Sequence, residues 1–347
     1  MNASGEQNVL IQDAVVKYGA MVALQQVSLE VNLHQHHVLL GESGSGKTTL
    51  LRAIAGFEPL VAGTIQMEGN IVDDPAQGQL VPPEHRKVGL VFQDYALFPH
   101  LTVSQNIAFG MERNSELSMD QLLSLVGLSG YEHRSVGALS GGEQQRVALA
   151  RAIAQQPRIV LLDEPFSNLN RELRRELRHN TSRILKEQGV GALFVTHDPD
   201  EAFAVADVIS VMHQGQLLQT GAPQELYDLP INLAVARSLG EAHVFTGHQR
   251  PGEKIMETPL GNIPFRAHPE ASGQQLLLRP EQIHISEDRA QPHAIKGRIE
   301  RRTFNGAVWE LQVRIPDGSL LCLFVAGDKV PPTDEGYVVV NGEGILV

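Results

Sequence analysis

Gly41-Glu42-Ser43-Gly44-Ser45-Gly46-Lys47-Thr48 decides how this chain is read, because the residue types of a phosphate cradle stand there in order. Gly41 and Gly46 permit a tight backbone path that turns successive N–H groups inward as an anion-binding nest. A lysine at the position of Lys47 reaches the β- and γ-phosphates of a nucleotide, and a hydroxyl at the position of Thr48 ligates Mg2+. Val38-Leu39-Leu40 predicts the buried strand entering the loop. Thr49 to Ala55 predicts the helix leaving it, with its N-terminal dipole aimed at phosphate. A Gly/Ser-rich surface turn has the same composition, so the rest of the chain must supply the partners of such a site.

The chain has 347 residues, longer than one ordinary domain, so two domains are expected. A formal net charge of −12 argues against a general nucleic-acid binder and against adsorption onto anionic lipid headgroups. The single cysteine, Cys322, cannot form an internal disulfide and is compatible with a reducing compartment. No apolar run approaches the roughly 18–20 residues that span a bilayer. The polar stretch Met1 to Asn8 predicts no signal peptide. Any membrane association is expected to come through a protein partner.

Val15 to Gly19 and Val27 to Val31 predict strands of a small β-layer ahead of the loop, and Val88 to Phe92 a strand after it. Val103 to Val136 reads as helix-rich. The short apolar runs Ile159 to Leu162, Ala192 to Val195 and Val208 to Met212 are of the kind buried in a parallel sheet. The charged run Arg171 to Arg178 has Leu173 and Leu177 four apart and reads as a solvated helix face. After about Gly240 short alternating segments separated by Pro and Gly take over. Leu311 to Ile315, a turn at Pro316 to Ser319, and Leu320 to Val325 predict a hairpin within an all-β domain.

Arg158 to Pro165 is a strand ending in two acidic residues. Asp163 is placed to stabilise Mg2+, and Glu164 to polarise an attacking water as general base. Ser140-Gly141-Gly142 opens the next helix and offers a hydroxyl and backbone N–H groups to a second phosphate surface.

Leu139 to Val147 resembles the signature motif of ATP-binding cassette (ABC) transporter ATPases. The resemblance covers about residues 8–239. It implies a P-loop α/β nucleotide-binding domain over 1–239 with a helical subdomain at about 94–150. It also implies ATP and Mg2+ as cofactors, and a head-to-tail homodimer with each ATP between the phosphate loop of one subunit and the signature of the other. Tyr18 resembles the aromatic that stacks on adenine, and Gln93 the glutamine that reports Mg2+ and the γ-phosphate to the helical subdomain. His197 resembles the switch histidine on the γ-phosphate. Thr48, Gln93 and Asp163 are thereby the Mg2+ set, while Glu164 and His197 carry hydrolysis.

Three positions depart from the family pattern. Glu143 stands where glutamine is usual, and Asn170 where the interface loop usually has Asp. His34-Gln35-His36-His37 replaces a Gly-Glu turn. Along a strand those histidines alternate faces and cannot all meet one ion, so they are expected to form an exposed strand-edge cluster.

Residues 240–347 resemble the oligonucleotide-binding-like β regulatory domains of importer ATPases, through Leu276-Leu277-Leu278-Arg279-Pro280-Glu281-Gln282-Ile283. Leu97 to Val103 resembles the region that contacts the membrane permease. Gly240 to Phe245 together with Arg279 to Gln282 look most like the ferric-iron importers. The expectation is an ATPase on the cytoplasmic face of the inner membrane. It would serve a separate permease fed by a periplasmic or lipid-anchored binding protein, most closely one for ferric iron. A sugar, polyamine or sulfate importer is the alternative. ABC proteins of DNA repair or translation carry coiled-coil insertions or two cassettes, which this sequence lacks. Cys322, His268, His284 and His293 show no metal-ligand spacing.

Overall fold

Six strands meet in one sheet in the order Gln216–Gly221, Val208–His213, His36–Leu40, Gly191–Thr196, Ile159–Asp163 and Val88–Val91. All neighbours are parallel except the antiparallel edge strand Gln216–Gly221. Every residue of His36–Leu40, Ile159–Asp163 and Gly191–Thr196 is buried, which is why these strands read as unbroken apolar runs rather than alternating ones. The computed structural model describes residues 7–111, 117–167, 169–250, 252–271, 273–288 and 294–347. His293 and Asn168 lie outside them.

A second, antiparallel sheet is built from Met21–Asn32, Asn8–Tyr18, Ala62–Met67, Asn70–Asp74 and Gln79–Leu80. The helix Lys47–Ala55 shares one core with both sheets: Leu50, Leu51 and Ile54 pack with Ile11, Leu24 and Ile65 of one and Leu39, Leu161 and Val195 of the other. Its C-terminal end is held by Arg86, whose Nη1 donates to the carbonyls of Ala53 (2.8 Å) and Ile54 (3.0 Å). The helix-rich stretch contains Val103–Ala108 and Met119–Leu125, and the helix Gly141–Ala154 follows it. Each opens on a reciprocal capping box, Thr102 with Gln105, Ser118 with Gln121 and Ser140 with Glu143.

The chain divides into two compact units, Met1–Pro223 and Gln224–Val347, so the change of texture at Gly240 falls inside the second. The short helices Pro223–Asp228 and Leu233–Ser238 precede that change. Arg279 ties their region to the β-structure: its Nη1 donates to the carbonyls of Ala236 (3.0 Å) and Glu241 (3.1 Å), and its guanidinium stacks 4.0 Å over the Tyr227 ring. The remainder forms a six-stranded and a five-stranded sheet around one apolar core. The predicted hairpin is present, with Val308–Arg314 antiparallel to Leu320–Ala326 and Ile315 N–H bonded to the Ser319 carbonyl at 3.0 Å.

The histidine cluster corrects the sequence expectation. His34 is exposed and meets the Gln7 side chain, but His36 and His37 are 1% and 2% exposed. Their strand runs through the middle of the sheet instead of along its edge. His36 lies edge-on to Phe194 and shares a hydrogen bond with Ser182 (3.1 Å), while His37 shares one with Ser210 (2.7 Å). Burial lowers both pKa values to about 4 from the ordinary 6.5. The unfolded chain therefore takes up these protons first. The neutral histidines contribute stability that is complete above pH 6.5 and lost as pH falls toward about 4. Denaturant unfolding should show a loss of about 2 kcal/mol per buried histidine between about pH 7 and pH 5. His37→Gln, which can keep the bond to Ser210, should flatten that slope by one histidine's share; an unchanged slope would mean that His37 titrates freely in the native state.

Candidate active site

Gly41 leaves the sheet at the C-terminal edge of Val38-Leu39-Leu40, so close to the neighbouring strand that a Cβ would lie 2.2 Å from the Met212 carbonyl. Gly46 has φ +101°, and a Cβ there would approach the Ala23 carbonyl at 2.8 Å. Gly215 closes on the same carbonyl from the other side, at 2.7 Å for an added Cβ. Gly215 N–H donates to the Ser45 carbonyl (2.9 Å), and its own carbonyl accepts from Gln25 N–H (2.8 Å). The phosphate loop is thus wedged between a β-hairpin and the Gln214-Gly215 turn. Gln25, Gln214 and Gly215 were not singled out from the sequence. The available signal was Gln214-Gly215 between two apolar runs, a turn with φ of 48° and 78° joining adjacent strands.

A cavity of about 450 Å³ opens over this loop. Ser43, Gly44, Gly46, Lys47, Thr48 and Thr49 line one side, and Glu164 faces in from the sheet. Tyr18, with 41% of its surface exposed, lines the other side beside Met21 and Val22, which also escaped the sequence reading. That rim offers a flat aromatic face and apolar neighbours for a planar base, next to a nest for phosphates.

Lys47 is only 4% exposed and donates from Nζ to the carbonyls of Gly41 (2.8 Å) and Glu42 (2.9 Å). Burial lowers its pKa, while Glu164 and Asp163 work against that shift. Asp163 ends the buried strand, and burial raises its pKa despite the Thr48 Oγ1 hydrogen bond at 2.8 Å. A desolvated carboxylate bonded to a hydroxyl is a hard oxygen pair suited to a divalent cation such as Mg2+. Gln93 follows the strand Val88–Val91 on an exposed loop and does not line the cavity.

Glu164 has φ +42°, a costly conformation for a residue with a Cβ, held by its N–H to the Val195 carbonyl (3.0 Å) and by Ser167 Oγ on its own carbonyl (3.0 Å). The turn aims its carboxylate at His197, whose Nδ1 is 3.2 Å from Glu164 Oε1. One carboxylate and one imidazole are therefore joined at the mouth of the phosphate cradle.

Ser140, Gly141 and Gly142 do not line this cavity. Ser140 Oγ and N–H both donate to Glu143 Oε2, at 2.8 and 2.7 Å, and these bonds hold the Glu143 carboxyl below its ordinary pKa. The unusual glutamate is thus a helix cap. Gly142 is buried against Leu173 and Leu177, where a Cβ would meet their methyl groups at 3.0 and 2.9 Å. Asn170 caps the helix Arg171–Glu187, its Oδ1 accepting from Leu173 N–H at 3.0 Å.

The sequence matches the ABC transporter family over residues 24–167 and the TOBE domain family over residues 276–340. It is 39% identical over 317 residues to the spermidine/putrescine import ATP-binding protein PotA of Nitratidesulfovibrio vulgaris, covering 86% of this chain and 84% of that protein. The chain belongs to the ABC transporter ATP-binding proteins of the import type. Another such relative is the Fe(3+) ions import ATP-binding protein FbpC of Pseudomonas fluorescens, 44% identical over 286 residues, with 81% of this chain and 80% of that one covered. Among solved structures, cbiO1 from Clostridium perfringens, part of the ABC transporter complex cbiONQ, superposes with a TM-score of 0.56 at 26% identity, covering 63% of this chain and 90% of that one. As an ABC import ATPase this chain binds ATP and hydrolyses it in step with transport.

Removing the buried ammonium should disable the cradle without unfolding it. Lys47→Ala loses a charge-assisted contact worth roughly 1.5–3 kcal/mol, so ATP affinity should fall by about 10-fold or more. Equilibrium binding of a fluorescent ATP analogue measures this, with a melting curve to verify the fold; unchanged affinity would remove Lys47 from the site.

Proposed function

We propose that two copies of this chain pair head to tail, each ATP lying between the cradle of one copy and Ser140-Gly141-Gly142 of the other, and that closure of the pair drives solute import through a separate permease. The observation that carries this reading is the split of the phosphate-binding groups: the cradle is assembled around one cavity, while the signature glycines and Ser140 lie outside it. A two-fold pairing supplies both sites at once. In this reading Lys47 and the loop N–H groups hold phosphate, and Tyr18 stacks on adenine. Thr48 and Asp163, joined by Gln93, hold Mg2+, which would neutralise charge on the phosphates. Glu164 takes the proton of the attacking water at Oε, while His197 orients that carboxylate through Nδ1 and contacts the γ-phosphate through its other ring nitrogen.

The permease is assigned to a second cavity of about 520 Å³, lined by Phe57, Phe92, Phe98, Phe109 and Arg151. Phe57 and Phe109 are 53% and 69% exposed, and the groove takes in Phe98 of the stretch Leu97 to Val103. An apolar face of a cytoplasmic permease helix suits it. No helix among the described residues is long and apolar enough to cross a membrane. In this reading the chain is held at the cytoplasmic side of the inner membrane by its permease partner.

For the solute we assign ferric iron, supported by the likeness to FbpC at 44% identity. The likeness to PotA covers more of this chain at 39% identity and supports a polyamine as the second reading. Either solute would pass from a binding protein through the permease without touching this chain.

Glu164→Gln keeps the shape but removes the base, and should bind ATP while losing on the order of 10²-fold in turnover. Turnover near wild type would end the catalytic assignment. Mixing Lys47→Ala with Ser140→Arg chains tests the pairing: the mixed pair has one doubly defective and one intact site, so part of the interface ATP binding should return. No recovery would refute shared sites. Uptake by a deletion strain tests the solute. Loss of ferric iron uptake, not complemented by Glu164→Gln, is expected; intact iron uptake with lost spermidine or putrescine uptake would favour the polyamine reading.

A further inference from the structure

Two successive residues of the loop after Gln93, Tyr95 and Ala96, both adopt left-handed backbone, with φ of 62° and 43°. Neither is glycine, so each Cβ crowds the following carbonyl, and the pair persists only if something outside the loop holds it. Tyr95 N–H turns back onto the Phe92 carbonyl at 2.9 Å, and the ring is buried, 5% exposed. That closes the near side of the turn but leaves two carbonyls aimed away from it.

Both carbonyls end on one side chain. Arg151 donates from Nη2 to the Tyr95 carbonyl at 2.9 Å and from Nη1 to the Ala96 carbonyl at 2.8 Å. Its guanidinium is 7% exposed and lies 5.6 Å from the centre of the Phe98 ring. Burying that charge lowers its pKa from the ordinary arginine value. A planar fork with fixed N–H directions can serve two neighbouring acceptors at once, which a point-like ammonium cannot. Arg151 belongs to the helix Gly141–Ala154, whose other end carries Ser140 and Gly142. Its own carbonyl sits where a Cβ on Gly110 would approach to 2.2 Å, so the backbone at Gly110 packs closely against this end of the helix. Arg151 further lines the apolar groove with Phe98 and Phe109.

We propose that Arg151 is a positioning residue that locks the strained Tyr95-Ala96 turn to the signature helix, so that Gln93 and Ser140 move as one body when the groove is engaged. This rests on the reading of the chain as a hydrolysing ABC subunit. The clamp touches no residue lining the ATP cavity, so it acts on turnover rather than on nucleotide capture. It gives the glutamine loop a mechanical connection to the helix that reaches the partner's ATP. A loop freed of the clamp would relax out of the left-handed pair and carry Gln93 with it.

The purified full chain tests this with Arg151→Met, which keeps a long stem against Phe98 but has no donors. ATP affinity should stay within about threefold of wild type, while turnover at saturating ATP falls at least about tenfold, a loss confined to the reacting complex. Arg151→Lys, which keeps the charge but not the fork, should be intermediate and serves if Arg151→Met does not fold. Adding Ala96→Gly to either variant should restore part of the turnover, because glycine holds positive φ without a clamp. A merely structural arginine would not be rescued at Ala96. Wild-type turnover in Arg151→Met or Arg151→Lys would overturn the proposal. So would affinity and turnover falling together with the folded fraction in both variants, or no gain from Ala96→Gly. Glu164→Gln measured alongside separates the two readings: if it leaves hydrolysis intact, the ATPase assignment fails whatever Arg151 does.

Discussion

The buried guanidinium of Arg86 fixes the helix on which the site depends. Nη1 binds the carbonyls of Ala53 and Ile54 at the C-terminal end of Lys47–Ala55, Nη2 binds the Val72 carbonyl at 3.2 Å, and Nε binds that of Val81 at 2.8 Å. Asp73 lies 3.8 Å away and balances the charge, both side chains being almost fully buried. Burial raises the Asp73 pKa and lowers that of Arg86, the signature of two charges kept from water for the sake of geometry. A cation at a helix C-terminus also opposes the negative end of its dipole. The opposite end of that helix is the phosphate loop. The antiparallel sheet therefore does more than cover the core, since through Asp73 and Arg86 it anchors the element that carries Lys47 and Thr48.

The charges at the mouth of the cavity follow from the same burial. Lys47, Asp163 and Glu164 share a small desolvated region in which the lysine bonds to carbonyls of its own loop. Phosphate would replace those carbonyls with a stronger acceptor, and a divalent cation held by Asp163 would oppose the upward shift that burial gives its pKa. The strained backbone at Glu164 and at Tyr95-Ala96 lies on either side of this chemistry, one residue aiming a carboxylate and two shaping the loop after Gln93. Strain of this kind is retained where surrounding bonds over-determine the backbone, as Val195 and Ser167 do for Glu164.

Much of this was legible from local sequence. The cradle, the buried strands and the acidic strand end are contiguous motifs, and each was found where its spacing placed it. Ser140 with Glu143 is a capping pair readable three residues apart, and Asn170 is an N-cap of the same logic. The departures from the family pattern at these two positions thus have a local explanation in helix termini. The histidines did not, because alternation along a strand tells which residues share a face but not whether the strand lies at an edge or in the middle of a sheet.

Sequence alone determined the class of fold, the phosphate loop and the identities of the acid and base candidates, since these depend on residue type and spacing within one segment. Tertiary structure decided that the Ala23 carbonyl is gripped between Gly46 and Gly215, that His36 and His37 are neutral core residues, and that Arg151 clasps Tyr95 and Ala96. Each of these joins segments distant along the chain. Their contacts are set by sheet order and close packing of backbone on backbone, which no local pattern encodes.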